Sequence, residues 1–244
     1  MFSELMNKEV HTAKLISVSR LADSDLISLF EGTRSHDLGD DQELREAEFI
    51  TTYCARVSNP ANQENVSTAP RLLRYLMKHR HWSPFEMSNM VVSIDTTRAI
   101  AAQILRHRSF SFQEFSQRYS DVSELPPIGM PLLRRQDTKN KQASYDDLPP
   151  SVVDRYERHI AELYAGANDL YHNMIANGVA KECARSVLPL GTPTRILMNG
   201  TVRSWLHYCG IRAGVETQLE HRLVAQSVKS IFAEQFPTIY KAAF

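Results

Sequence analysis

The stretch TTRAIAAQILRHRSFSFQEFSQRY, residues 96–119, joins an apolar helical pattern to a run of charged and amide side chains. Its apolar residues recur at helical spacing, at Ile100, Ala101, Ile104 and Leu105. The two threonines at its start can cap a helix. From residue 103 onward it holds three arginines, one histidine, three glutamines and a single carboxylate. We therefore predict a helix that gives these polar groups a definite geometry, followed by a loop through residue 119.

The polar groups of this predicted helix are divided between two faces. Gln103, Arg106 and His107 are three and four residues apart, so they share one face. Arg108 points to roughly the opposite side from Arg106, at about 100° per residue. One ligand cannot easily reach both arginines unless the helix ends there, whereas two ligands or two subunits can. The alternative is a solvated basic helix end, where cations favour the C-terminal dipole.

The flanking sequence contains more helical than strand patterns. Residues 87–94 alternate weakly and are rich in valine and methionine, which predicts a strand. Pro70 opens an amphipathic helix that we expect to end near His81. Further helices are predicted at residues 51–58, 151–176, 179–188, 201–211 and 216–232, and a second strand at residues 194–198.

Two segments lack such periodic patterns. We interpret residues 1–48, with an acidic stretch at 37–48, as irregular surface structure. Residues 125–150 contain five prolines and form a connection long enough to suggest a function. The mixed order of elements predicts an α+β fold that is helix-rich, with helices around a central antiparallel sheet. We expect a single domain that spans residues 1–244.

Composition excludes several classes of function. The chain has 244 residues, enough for one domain with a real core, and Lys+Arg and Asp+Glu both number 28. Nucleic-acid-binding proteins are usually basic, so this balance argues against them. No run of about 18 apolar residues predicts a membrane helix, and the first ten residues lack a secretory pattern. The three cysteines form no CxxC pair, which fits a reducing compartment. We therefore expect a cytoplasmic protein without a membrane or nucleic-acid partner.

The spacing of Arg106-His107-Arg108 and Ser116 resembles the signature of the flavin-dependent thymidylate synthases, which is RHR, seven residues and then Ser. Other segments resemble that family in the expected order: ARVS at 55–58, YLMKH at 75–79, SPFE at 83–86, Arg185 with VLP at 187–189, Arg203, and Arg212-Ala213. The resemblance covers about residues 50–236.

This resemblance implies an enzyme that converts deoxyuridine monophosphate (dUMP) to dTMP by reductive methylation. FAD is the implied cofactor, and methylenetetrahydrofolate and NADPH are the implied co-substrates. The family's flavin is thought both to carry the one-carbon unit and to supply hydride, so the protein's task is positioning. A homotetramer whose active sites are shared between subunits is also implied.

The resemblance also assigns site residues, with Arg212 as the catalytic one. Flavin-contacting positions of the family fall on Ser83, Arg106, His107, Arg108, Glu114, Thr201, Arg203 and His207. Its dUMP-binding positions fall on Gln103, Arg106, Glu114, Phe115, Ser116, Gln117, Arg118, Arg185 and Arg212. Two positions depart from the family pattern, because Thr201 replaces a common asparagine and Glu216 replaces a histidine found in some members.

The chemistry requires activation of C5 of uracil, which is a poor nucleophile. One solution adds a thiolate at C6, but none of the three cysteines lies in a recognisable nucleophile context. The other solution uses a fixed guanidinium that stabilises negative charge on the pyrimidine. By resemblance Arg212 has this role and favours the N3-ionised base. From the residues alone, a surface ion pair with Glu216, worth about 0.3–0.5 kcal/mol, is the alternative.

Other interpretations of the same residues stay open at this point. Arg185 fits a solvated helix charge equally well, and Ser83 fits a simple turn before Pro84. The whole chain could instead be a nucleic-acid-binding module, or a diverged flavoprotein that lacks methyl transfer. His79 and His81 are two residues apart and would not face together on a helix, so we predict no metal site.

Overall fold

A computed structural model describes residues 11–34, 44–127 and 129–244. The strands are β1 (Thr12–Val18), β2 (Asn89–Thr97), β3 (Ser111–Glu114), β4 (Arg135–Gln136), β5 (Ser144–Tyr145) and β6 (Pro193–Thr201). The α-helices are α1 (Ser24–Arg34), α2 (Glu46–Ala55), α3 (Ala69–Lys78), α4 (Arg98–Ile104), α5 (Pro150–Ala176), α6 (Lys181–Ala184), α7 (Val202–Arg212), α8 (Leu219–Gln235) and α9 (Pro237–Ala243). Short 3₁₀ helices include Ser83–Glu86 and Arg185–Val187. Within the described ranges, no helix combines the length and the apolar character of a membrane span.

The central sheet is antiparallel, with the strand order β1-β2-β6-β3. β2 and β6 form its middle pair and match residue for residue, from Asn89 opposite Thr201 to Thr97 opposite Pro193. Alternate side chains of β2 are buried, because successive side chains of a strand point to opposite faces. The sheet therefore offers one apolar face to the helices. β4 and β5 form a separate hairpin.

The core lies where this apolar face meets α7 and α8. Met90, Val92 and Ile94 of β2 pack in one cluster with side chains of both helices. Burying a large apolar side chain of this kind contributes about 1.5–3 kcal/mol. Trp205 of α7 is fully buried in the same cluster, and its indole N–H donates to the backbone oxygen of Met90 at 3.0 Å. Its one polar atom is thus satisfied, and α7 is fixed on the sheet.

The predicted α+β fold, helix-rich around an antiparallel sheet, is confirmed. The helices predicted at 151–176, 201–211 and 216–232 correspond to α5, α7 and α8, and both predicted strands are present as β2 and β6. The helix predicted at 179–188 is shorter, since α6 gives way to a 3₁₀ turn. The helix predicted at 51–58 begins earlier, as α2.

The irregular structure predicted for residues 1–48 is wrong at residues 12–18, 24–34 and 46–48, which form regular elements, and holds for the short connections at 19–23 and 44–45. β1 and α1 lie within it, and among the described strands β1 is an edge strand that pairs with β2 alone. Its side chains are mostly exposed or half-buried, so the apolar alternation that identifies a strand is weak. Residues 1–10 and 35–43, which carry most of the acidic stretch and the N-terminal segment, lie outside the described residues.

The segment at residues 125–150, apart from residue 128, is held in place by charged contacts. Arg135 forms an ion pair of 2.6 Å with Asp147 across the β4–β5 hairpin. The neighbouring Arg134 is largely buried and pairs with Glu220 of α8 at 2.8 Å. The hairpin is therefore anchored to α8 by a partly desolvated ion pair, which sequence patterns did not predict.

Gly200 of β6 allows the chain after α4 to approach the sheet closely. A Cβ atom at this position would overlap the ring of Phe110. That ring packs edge-on against Trp205, with ring centroids 4.6 Å apart. Close approach of a neighbouring side chain is one of the uses of glycine within a strand. The absence of a side chain at position 200 thus leaves room for the Phe110 ring directly before β3.

Candidate active site

The Arg106-His107-Arg108 segment lies in a turn between α4 and β3, because α4 ends at Ile104. The backbone N–H of His107 donates to the oxygen of Ile104 at 3.0 Å, which closes the turn. The His107 side chain is buried, whereas Arg106 and Arg108 are exposed. The prediction that Gln103, Arg106 and His107 share one helical face is therefore wrong. The turn separates the two arginines from the histidine by pointing them outward.

Arg212, the last residue of α7, contacts the buried histidine of this turn. Its Nε–H donates to His107 Nε2 at 3.0 Å, so Nε2 acts as the acceptor. Burial, together with the charges of Arg212 and His207, lowers the pKa of His107 to about 4. The imidazole is therefore neutral near pH 7 and carries its proton on Nδ1. The alternative ion pair with Glu216 is not formed, because α7 ends at Arg212.

Gln103 lies at the end of α4 and is held from two sides. Its Nε2–H donates to Gln218 Oε1 at 2.6 Å. Its Oε1 lies 3.2 Å from Nδ1 of His221, a fully buried residue of α8. The other ring nitrogen of His221 lies 3.2 Å from the hydroxyl of Tyr208. The predicted substrate-binding glutamine is thus part of a hydrogen-bond network that runs from exposed Gln218 to the buried pair His221 and Tyr208.

A cleft of about 1050 Å³ opens between α3, the 3₁₀ helix Ser83–Glu86, α7 and α9. Arg203 and His207, four residues apart on α7, both line it, as side chains on one helical face do. Its remaining lining mixes apolar side chains with cations, among them Met77, Trp82, Ile211, Arg74 and Lys78. The cleft can therefore accommodate a ligand that combines a flat apolar part with anionic groups.

Glu86 organises the mouth of this cleft, although sequence reasoning did not select it as a site residue. The hydroxyl of Thr201 donates to Glu86 Oε2 at 2.7 Å, and Arg203 Nη1 donates to Glu86 Oε1 at 2.9 Å. Thr201 also caps α7, because its hydroxyl accepts from the backbone N–H of Ser204 at 3.3 Å. Its hydroxyl is therefore engaged within the protein. Ser83 begins the 3₁₀ helix, in agreement with the turn predicted before Pro84.

A second group of predicted residues lies at the end of β3. Glu114 pairs with Arg98 of α4 at 2.6 Å and accepts a hydrogen bond from Thr194 at 3.0 Å. Gln117 is 6% exposed, and its Nε2 has no hydrogen-bond partner among the described residues. An unpaired buried amide costs free energy, so a ligand that accepts from it would bind favourably here. Phe115 and Ser116 connect these two positions.

Arg118 and Arg185 complete this second group near α6. Arg118 forms an ion pair with Glu182 at 3.0 Å, in which both side chains are exposed. Arg185 opens the 3₁₀ helix that follows α6 and is half-buried. Among the described residues, no hydrogen bond or ion pair joins Arg118 or Arg185 to Arg212.

The two groups of predicted residues lie at different points along β6. Glu114 of β3 is opposite Ile196, whereas Thr201 ends the strand next to Glu86. Positions 196 and 201 are separated by about 17 Å, at roughly 3.3 Å per residue. One subunit therefore places its predicted flavin-contacting residues, except Glu114, and most of its predicted dUMP-binding residues at separate locations.

Comparison with known proteins gives the family of this chain. The family model described as thymidylate synthase complementing protein matches residues 42–238. A probable flavin-dependent thymidylate synthase of Paramecium bursaria Chlorella virus 1 is 50% identical over 199 residues, 82% of this chain and 91% of that protein. A flavin-dependent thymidylate synthase of a Synechocystis species is 48% identical over 202 residues, 83% of this chain and 92% of that protein.

Solved structures show the same fold. Two crystal structures of the UMP/dUMP methylase PolB from Streptomyces cacaoi, with 5-Br dUMP and with 5-Br UMP, superpose with TM-scores of 0.72 and 0.73. Each is 24% identical and covers 95% of this chain, and 93% and 92% of the PolB chain. The fold is thus shared with a class of nucleotide-modifying enzymes. The chain itself belongs to the flavin-dependent thymidylate synthase family, which favours an enzyme over a nucleic-acid-binding module.

Proposed function

We propose that this protein is an FAD-dependent thymidylate synthase, which converts dUMP to dTMP with methylenetetrahydrofolate and NADPH and without a cysteine nucleophile. The observation that carries the proposal is the contact between Arg212 and neutral His107. Because only Nε of the guanidinium is engaged in that contact, its two terminal nitrogens remain available to a ligand. Family membership supports the same activity.

The residues of the cleft fit FAD in their chemistry. Its apolar wall suits a flat aromatic ring, and Arg203, His207 and Lys78 offer donors and positive charge to phosphates. Arg106 and Arg108, exposed beside the cleft residue Ser109, add further cations. When bound, FAD would supply the hydride and carry the one-carbon unit. Glu86 orients Arg203 by accepting its Nη1–H at 2.9 Å, so this cation is held in place before any ligand arrives.

Arg212 would activate the pyrimidine by electrostatics. A guanidinium stays charged at all relevant pH values and presents a planar set of donors. Placed against uracil, it stabilises negative charge on N3 and the oxygens, which raises electron density at C5. His107 keeps the guanidinium in one orientation, because a neutral imidazole accepts at Nε2 without competing for the substrate's charge.

The second group of residues would bind the phosphate of dUMP. Ser116 offers a hydroxyl, Gln117 an unpaired amide N–H, and Arg118 a planar fork of donors. Arg118 would have to leave Glu182, but an exposed ion pair contributes only about 0–1 kcal/mol. Arg185 lies on the neighbouring 3₁₀ helix and can approach the same anion.

The separation of the two groups supports a homotetramer with active sites shared between subunits. A phosphate held near Arg118 of one subunit could then place its pyrimidine against Arg212 of another. The long helix α5 supports assembly as well, because Leu163 is 66% exposed and Leu170 is 50% exposed on it. The main hydrophobic cluster, which draws side chains from Phe30 to Ile239, supports a single domain over residues 1–244. Three free cysteines support a cytoplasmic location.

The decisive experiment replaces Arg212 and follows flavin and product separately. We expect Arg212→Ala to retain bound FAD, visible as yellow colour, while dTMP formation falls about 100-fold or more. Arg20→Ala is the matched control, because Arg20 is an exposed arginine that does not line the cleft. NADPH oxidation and dTMP are measured in the presence of dUMP and methylenetetrahydrofolate. Near-normal dTMP formation by Arg212→Ala would show that Arg212 does not activate the pyrimidine.

The same preparation distinguishes the competing functions. A wild-type protein that binds FAD but forms no dTMP would be a diverged flavoprotein. A protein without chromophore that binds polynucleotide with a steep dependence on salt would be a nucleic-acid-binding module. Either result would overturn the proposed activity.

A further inference from the structure

A series of side-chain contacts runs from the β4–β5 hairpin across the start of α8 to Gln103 of α4. Arg134 directly precedes the hairpin, and its Nη2 lies 2.8 Å from Oε1 and 2.9 Å from Oε2 of Glu220. The same guanidinium donates from Nε to the hydroxyl of Ser144 in β5, at 3.0 Å. The two charged side chains are 12% and 10% exposed, so their attraction is weakly screened. The hairpin therefore holds the carboxylate of Glu220 in one orientation.

This ion pair sets the direction of the next two hydrogen bonds. A carboxylate that is paired with an arginine accepts hydrogen bonds and donates none, so Gln218 turns its Nε2–H toward Oε2 of Glu220, at 3.0 Å. The oxygen of Gln218 then faces Gln103, whose Nε2–H donates to it at 2.6 Å. Amide orientations are ordinarily ambiguous, but here the carboxylate determines the first amide and the first amide determines the second.

Gln103 lies near the guanidinium that is proposed to activate the pyrimidine. Its Oε1 is 3.2 Å from Nδ1 of the buried His221. The ring centroid of His221 is 6.3 Å from that of His107, whose Nε2 accepts from Arg212. Burial and the nearby charge of Arg212 lower the pKa of His221 to about 3. Contacts that order the Gln103 amide therefore order a polar group in the surroundings of Arg212.

The ordered amide of Gln103 keeps polar groups for a ligand. One hydrogen of Nε2 goes to Gln218 and one lone pair of Oε1 goes to His221, which leaves a second N–H and a second lone pair. The side chain is half-buried, so a ligand can reach these groups. A side chain that is ordered in advance loses less conformational freedom when a ligand binds, which raises affinity.

We propose that Gln218 and the Arg134–Glu220 ion pair are positioning residues for dUMP binding, which act by holding the Gln103 amide beside Arg212. The proposal rests on the proposed function, since it takes Gln103 as a dUMP contact. The three positioning residues touch neither dUMP nor FAD themselves. The hairpin thereby contributes to the substrate site, which gives a function to the long connection that contains it.

The test measures the affinity of the FAD-loaded protein for dUMP by calorimetry. We expect Gln218→Leu to weaken dUMP binding about fivefold, because it removes the acceptor that orders the Gln103 amide. Gln218 is exposed, so the replacement leaves the core intact. Gln226→Leu changes another exposed glutamine of α8 and is the matched control, expected to leave dUMP affinity unchanged. FAD content and thermal unfolding are recorded for every variant.

A double-mutant cycle separates positioning from a general effect on the fold. Gln103→Ala removes the amide itself, so we expect Gln218→Leu combined with Gln103→Ala to bind dUMP no more weakly than Gln103→Ala alone. Independent effects would multiply instead, and that result would overturn the positioning role. In Gln218→Leu we expect KM for dUMP to rise about fivefold while kcat at saturating dUMP changes less than twofold, because ground-state binding is what is lost.

The ion pair is tested by replacing both of its members together. Arg134→Met with Glu220→Leu avoids leaving one charge buried without its partner, which is strongly destabilising. We expect this variant to weaken dUMP binding about as much as Gln218→Leu does. Arg135→Ala breaks only the exposed pair with Asp147 on the same hairpin and is the control, expected to bind dUMP normally.

The outcomes distinguish this inference from the proposed function. Unchanged dUMP affinity in Gln218→Leu would overturn the inference, and this variant decides the matter alone if the ion-pair variant does not fold. Unchanged affinity in Gln103→Ala would show that Gln103 is not a dUMP contact, which overturns the inference and leaves the proposed activity in place. Failure of the wild-type holoprotein to bind dUMP would overturn both.

Discussion

Cys209 lies close to the site, but its burial prevents it from acting as a nucleophile. It is on α7 between His207 and Arg212, but its thiol is buried, which raises its pKa to about 12. The nucleophilic form of cysteine is the thiolate, so Cys209 is unreactive near pH 7. Burial also raises the pKa of Cys54. Cys183 is exposed on α6 and does not line the cleft.

Removal of all three thiols therefore tests the absence of a cysteine nucleophile. We expect the triple variant Cys54→Ser, Cys183→Ser, Cys209→Ala to form dTMP within about threefold of the wild-type rate. Alanine at position 209 avoids burying a hydroxyl and costs about 1 kcal/mol of stability. Product is measured at saturating FAD. Loss of turnover in a folded, yellow triple variant would favour thiolate chemistry.

At the scale of elements, Glu48 connects the start of α2 to the start of α9. Its Oε2 accepts the backbone N–H of Arg45 at 3.1 Å, and its Oε1 accepts that of Ile239 at 2.8 Å. These bonds favour the charged form, but burial outweighs them and raises the pKa of Glu48 to about 7. The native protein therefore keeps a proton that the unfolded chain loses near pH 4.5. This contribution to stability is complete below pH 4.5 and is lost as pH rises through 7.

Replacement by glutamine removes this titration. Between pH 4.5 and pH 8, we expect the unfolding free energy of the wild type to fall by about 3 kcal/mol relative to that of Glu48→Gln. Urea unfolding at a series of pH values measures it. Glu64→Gln changes an exposed carboxyl and serves as the control. A difference that does not vary with pH would show that Glu48 titrates normally.

Elements were predictable from sequence where their own pattern is long. The apolar stripes of α5 and α8 and the run of β2 are such cases. β3 was missed because it has four residues and owes its form to pairing with β6. The early end of α4 was missed for a related reason. The chain turns inward after Ile104 because His107 is buried against Tyr208. A contact between residues so far apart in sequence cannot be predicted from the local pattern.

The residues of the site were predicted unevenly for the same physical reason. The arginines and Gln103 lie in motifs whose residue types and spacing can be recognised. His221 lies within an ordinary helical pattern. Its hydrogen bonds with Gln103 and Tyr208 form only because α8 packs next to α4 and α7, which the sequence does not show. Glu86 could have been suspected, because it ends the SPFE segment and is a lone carboxylate before a strand.

At the scale of the whole molecule, α5 exposes apolar side chains that one subunit does not cover. Leu163 and Leu170 are seven residues apart, so they lie along one side of the helix. Only Tyr171 of this 27-residue helix is fully buried. Apolar surface of this kind on a long helix is typical of a subunit interface.

Charged residues on this side of α5 are therefore expected to break the assembly. We expect Leu163→Glu with Leu170→Glu to sediment as a smaller species than the proposed wild-type tetramer and to lose most dTMP formation. Glu162→Gln with Asp169→Asn changes exposed neighbours on the same helix and is expected to leave the mass unchanged. Analytical ultracentrifugation gives the masses. A tetramer in the leucine variant would place the interface elsewhere.

The bare backbone at Gly200 restricts the order in which this protein can accumulate mutations. Since the ring of Phe110 fills the volume of a missing methyl group, an alanine codon at position 200 is tolerable only after position 110 has become smaller. A smaller residue at position 110 leaves a cavity beside Gly200, and full truncation of phenylalanine to alanine lowers stability by about 3–5 kcal/mol. The two sites are thus epistatic, and lineages that drift at one must already have changed at the other.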